Sequence, residues 1–94
     1  MNDEERASAE AEENRRLRHL RMIVDLTTNV LAQGRLTRRE AEDLVAATKR
    51  RALDLFPGKE GTYDLILAPR FARLLREFAA PAPTNVLPFR RPAT

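Results

Sequence analysis

Ninety-four residues without a cysteine leave room for one small domain, with no disulfide and no thiolate chemistry. The net charge is +3, built from 15 Arg, 2 Lys and 14 acids, and the single histidine gives a transition-metal site too few ligands. No stretch approaches the ~20 apolar residues that span a bilayer, and the acidic N-terminus lacks the basic-then-apolar pattern of a signal peptide, so the expected location is the cytoplasm.

Charge is unevenly spread. Residues 1–14 carry six acids and one base, whereas residues 15–53 carry ten bases and four acids. The first segment is predicted to be an acidic helical leader. It starts near Asp3 as N-cap, with Glu4 and Glu5 at the positive end of the helix dipole. Ala7, Ala9 and Ala11 favour helix, but residues 4–14 offer no large apolar side chain. Glu12 stands at helical spacing from Arg15 and Arg16.

A three-helix domain is expected over 15–80. Leu17, Leu20, Val24, Thr27 and Leu31 recur at three- and four-residue intervals and form one stripe, widened by Ile23 and Val30. Met22 and Leu26 fall on another side. Gly34 stops this first helix, where a positive φ costs little. Thr37-Arg-Arg-Glu40 reads as a capping box that opens a second helix. Its stripe is Ala41, Leu44, Val45, Thr48, Ala52, Leu55 and Phe56, and Pro57-Gly58 ends it. The short link makes the first two helices an antiparallel hairpin.

Thr62 is the expected N-cap of a third helix with the stripe Tyr63, Leu67, Phe71, Leu74, Leu75 and Phe78. Pro69 lacks an N–H and crowds the carbonyl of Leu65. The expectation is a short turn over 62–67, a kink or break, and Pro69 as the first residue of the main helix. Four prolines then exclude regular helix from a Pro-rich tail at 81–94. The fold class is all-α.

The groups available for chemistry are few. Gly58-Lys-Glu-Gly-Thr62 lacks the spacing of a phosphate loop and has no strand before it. His19, Asp25, Tyr63 and Asp64 show no acid–base pairing that demands catalysis. The expectation is no enzyme, no cofactor, no metal and no small-molecule substrate. Arg15, Arg18, Arg21, Arg70, Arg73 and Arg76 form patches able to neutralise phosphates. Opposing them are acids at i, i+4, namely Glu42 for Arg38, Asp43 for Arg39, Asp54 for Arg50 and Glu77 for Arg73, together with the acidic leader.

The small core of such a chain is nearly cancelled by conformational entropy, which favours a homodimer or a protein partner. Met22, Leu26 and Leu53 fall off the main stripes and are the candidate intermolecular residues. In the tail, Val86, Leu87 and Phe89 with Arg90 and Arg91 form a stiff apolar–basic peptide suited to docking on a partner, the alternatives being that its apolar side chains fold back onto the helices or have no role. The arginine and alanine bias points to GC-rich coding. The functional expectation is a small bacterial adaptor or regulator working by protein–protein contacts. The alternative is a small basic nucleic-acid-binding regulator.

Overall fold

In a computed structural model, which describes residues 2–79, the chain forms three helices. They are α1 (Asp3–Ala32), α2 (Arg38–Leu55) and α3 (Glu60–Phe78), and the all-α class holds. No strand occurs among the described residues. Residue 80 and the whole tail, with Val86, Leu87, Phe89, Arg90 and Arg91, lie outside the described residues.

α1 is continuous over 30 residues. Its N-cap is Asn2 rather than Asp3. The Glu5 N–H donates to Asn2 Oδ1 (2.8 Å), and the Asn2 N–H donates to Glu5 Oε1 (3.1 Å). This capping box moves Asp3 into the first turn, where its charge still complements the dipole. Residues 3–15 are all exposed, and Glu12 pairs with Arg15 and Arg16. The second half of α1 buries Val24, Thr27 and Leu31. Gly34, at φ +70°, follows the Gln33 cap.

α2 opens as its sequence foretells. The Glu40 N–H donates to Thr37 Oγ1 (3.1 Å), and the Thr37 N–H donates to Glu40 Oε1 (2.9 Å). It returns antiparallel to α1 and brings Thr48 against Thr27, hydroxyl to hydroxyl at 2.7 Å. The Thr48 hydroxyl donates to the Leu44 carbonyl (2.9 Å), so the proton in the Thr27–Thr48 bond belongs to Thr27. A polar pair is thus satisfied inside the core, as burial demands.

α3 departs from expectation in two places. It starts at Glu60, not Thr62, because left-handed Gly58 (φ +79°) turns the chain into helical register early. The Tyr63 N–H already donates to the Lys59 carbonyl at 3.0 Å, leaving Thr62 inside the first turn, where it cannot cap. The expected break at Pro69 is also absent: α3 runs unbroken from Glu60 to Phe78 with Pro69 inside it. Pro69 and Leu65, whose carbonyl loses its usual donor, are both exposed residues. Packing of Tyr63 on one side and of Phe71 and Leu74 on the other outweighs the local preference.

The third helix packs on both others. Its last carbonyl, of Phe78, sits against Gly34, where an added Cβ would lie 3.4 Å from it. The helices therefore meet closely at the Gly34 end, although the Phe78 side chain, expected on the buried stripe, is 39% exposed there. There Leu31, Ala41, Phe71 and Leu74 are buried, with Leu36, Leu44, Leu75 and Ala79 packed around them.

Candidate functional site

The opposite end of the bundle is not closed. α2 stops at Phe56 and Pro57, and the three helices leave a groove of about 370 Å3. α1 supplies Leu17 and Leu20, α2 supplies Leu53 and Phe56 over Ala52, and α3 supplies Tyr63, Ile66 and Leu67. Lys59 and Thr62 are the remaining lining residues. Leu17 is 42% exposed and Ile66 61%, and next to Ile66 stands Leu65 at 77%. Large aliphatic side chains gathered at one opening differ from the scattered apolar residues normal on a protein surface.

Two cations stand beside the aromatic rings of the groove. The Arg16 guanidinium lies 5.8 Å from the centre of the Phe56 ring, and Lys49 Nζ lies 5.5 Å from that of Tyr63. Lys49 also pairs with Asp64 at 3.0 Å, so it ties α2 to α3 beside the groove. The Tyr63 hydroxyl is buried without a hydrogen-bond partner among the described residues, and burial, with Asp64 adding to it, holds its pKa above 10.0. Across Phe56 and Lys59 lies a shallower depression lined by Glu13, Arg16 and Asp54. Arg16 there is engaged by Glu12 at 3.8 Å, whereas Glu13 and Asp54 make no ion pair among the described residues.

The residues singled out for partner contact do not form one face. Met22 and Leu26, 61% and 63% exposed, sit on the outer side of α1 in a shallow depression with Arg18, Arg21, Asp25 and Asn29. Leu53 lies in the groove, on the other side of α1. Helical spacing separates them: two residues from Leu20 to Met22 is a turn of about 200°. Sequence reasoning had assigned Leu17, Leu20, Phe56 and Leu67 to the core and had left Ile66 unassigned. The signal was present in Leu65-Ile66-Leu67, three consecutive apolar residues that exceed the width of one stripe.

The arginines fall into two sets on two helices. Each of the sets Arg15, Arg18, Arg21 and Arg70, Arg73, Arg76 advances by three residues. Each step falls about 60° short of a full turn, so each set covers about 120° of one side of its helix, with all six arginines exposed. Arg38–Glu42 and Arg39–Asp43 pair at 3.1 and 3.9 Å. The Arg50–Asp54 and Arg73–Glu77 pairs do not form within 4 Å among the described residues.

His19 is half-buried on α1. Among the described residues no group of three His, Asp or Glu side chains is placed to hold a metal, and no helix is long and apolar enough to cross a membrane. No protein family, curated protein or solved structure matches the chain, and the functional reading rests on these residues alone.

Proposed function

We propose that this chain is a non-catalytic helical adaptor whose groove receives a short apolar segment of another protein. One observation carries the reading: a groove of about 370 Å3, walled by aliphatic and aromatic side chains from all three helices, stands open to solvent. That volume falls in the range of built binding pockets, and its walls offer burial rather than reactive groups. Two or three large side chains of a partner would gain there the burial that Leu17 and Ile66 now lack. Arg16 and Lys49, held by Glu12 and Asp64, give the mouth of the groove a polar rim. The arginine reading draws less support, because Asp25 shares a depression with Arg18 and Arg21 and the acidic residues of the start of α1 adjoin Arg15 and Arg16.

A random peptide library selected against the full chain tests this. Enriched peptides are expected to share two or three large apolar residues and to lose at least ten-fold in affinity on Ile66→Asp. Peptides that keep full affinity for both Ile66→Asp and Leu53→Asp would refute the groove as the binding site, and a selection that enriches nothing would refute an outside ligand for it.

A further inference from the structure

We infer that the groove's resident occupant is the chain's own C-terminal peptide, Val86 to Arg91, folded back over the bundle. The inference rests on reading the groove as a docking site, but it needs no outside ligand.

Chain length makes the first case. Fifteen residues, 80–94, follow the last described one. They leave from Ala79 at the closed end, beside Gly34. Along α3, Phe78 lies ~18 Å from Ile66 and ~28 Å from Lys59, at 1.5 Å per residue. An extended peptide covers ~23 Å from Ala79 to Val86 and ~33 Å from Ala79 to Phe89. Val86 and Leu87 therefore reach the level of Ile66 and Leu67, and Phe89 reaches that of Phe56 and Lys59. The four prolines at 81, 83, 88 and 92 favour such an extended path and lower the entropy lost on docking.

Chemistry makes the second. The peptide offers three apolar side chains followed by two guanidinium groups. The body offers them in the same order: first the apolar groove, then, past Phe56, the depression containing Glu13 and Asp54, with Glu12 beside it on Arg16. Arg90 and Arg91 arrive beside Glu13 and Asp54, neither of which has an ion-pair partner among the described residues. Docking thus covers Leu17 and Ile66 and gives Glu13 and Asp54 cationic partners. A partner segment has to displace the tail, so the tail sets a threshold for binding.

The chain lacks cysteine, and Ala93→Cys provides a unique attachment point for a spin label on the otherwise intact protein. Methyl signals of Leu53, Ile66 and Leu67 are expected to lose at least half their intensity, and those of Leu36 and Leu75 at the closed end to lose less. Adding Leu87→Asp and Phe89→Asp is expected to abolish the loss at the groove while the helical signal stays unchanged. A tail that ignores the groove stays tethered at Ala79 and quenches Leu36 and Leu75 at least as strongly as the groove, which would overturn the inference. A mixture of spin-labelled and isotope-labelled copies adds a second check. Quenching at the groove between copies would overturn the assignment to the same chain and give the groove to a second copy's tail. If the tail docks while the peptide selection above enriches nothing, the outside ligand is at fault and the resident peptide stands. A selection that succeeds without quenching at the groove condemns the resident peptide alone.

Discussion

The two ends of the bundle are built from the same three helices and the same kinds of residue, yet they finish differently. At the Gly34 end, Phe71 and Ala41 are wholly enclosed and the end of α3 abuts the turn after α1. At the Phe56 end, Leu17 and Ile66 are left uncovered by the other described residues around a groove. The contrast separates two uses of apolar surface. At the closed end it stabilises the fold, and at the open end it remains available for association.

The largest test of that division compares one side chain from each end. Phe71→Ala is expected to cost ~3–5 kcal/mol, enough to unfold much of so small a domain. Ile66→Ala, which loses only contact with whatever occupies the groove, is expected to cost less than ~1.5 kcal/mol. Urea unfolding followed by helical circular dichroism reads both. Similar costs at the two positions would erase the distinction.

Pro69 marks the border between the halves of α3. Pro69→Ala restores the donor for the Leu65 carbonyl and is expected to stabilise by ~1–3 kcal/mol, less than the full helix penalty because the unfolded chain also gains freedom. For a domain of this size the melting midpoint should rise by at least about 5 °C.

The threonine pair between the two ends gives a finer test. Thr48→Val leaves the buried Thr27 hydroxyl without its acceptor and should cost ~1–3 kcal/mol. Thr27→Val leaves Thr48 bonded to Leu44 and should cost less than ~1 kcal/mol. The double valine variant should fall near the parent, because both polar groups are then gone. Equal single costs would reassign the shared proton.

A further effect of modest size belongs to Tyr63, whose hydroxyl is buried and has no hydrogen-bond partner among the described residues. Tyr63→Phe should stabilise by ~1 kcal/mol at neutral pH. Because the folded pKa is raised above 10.0, the folded state keeps its proton where the unfolded state loses it. The parent should therefore lose stability as pH rises above 10 toward the folded pKa, and the phenylalanine variant should lack that part of the decline.

These elements differ in how plainly the sequence announced them. The Thr37–Glu40 box, the Gly34 stop and the place of Thr27 and Thr48 on facing stripes are local patterns, and each is found where its spacing put it. α3 starts before Thr62 and has no break at Pro69, because local propensity at 62–69 yields to the burial of Tyr63, Phe71 and Leu74 on either side. The groove was hidden for a different reason. Stripes identify which residues seek cover, but not whether three helices supply enough of it. Leu17 and Phe56 belong to stripes and still line an opening, while Leu53 parts from Met22 and Leu26 only once the helices are packed.

The most direct test of the division is calorimetric titration of the best selected peptide into three full-length proteins: the parent, Ile66→Asp and Met22→Asp. Affinity is expected to fall at least ten-fold for Ile66→Asp and to stay within two-fold of the parent for Met22→Asp, with all three equally helical. Loss through Met22→Asp with Ile66→Asp unaffected would move the interaction to the outer side of α1 and contradict the account.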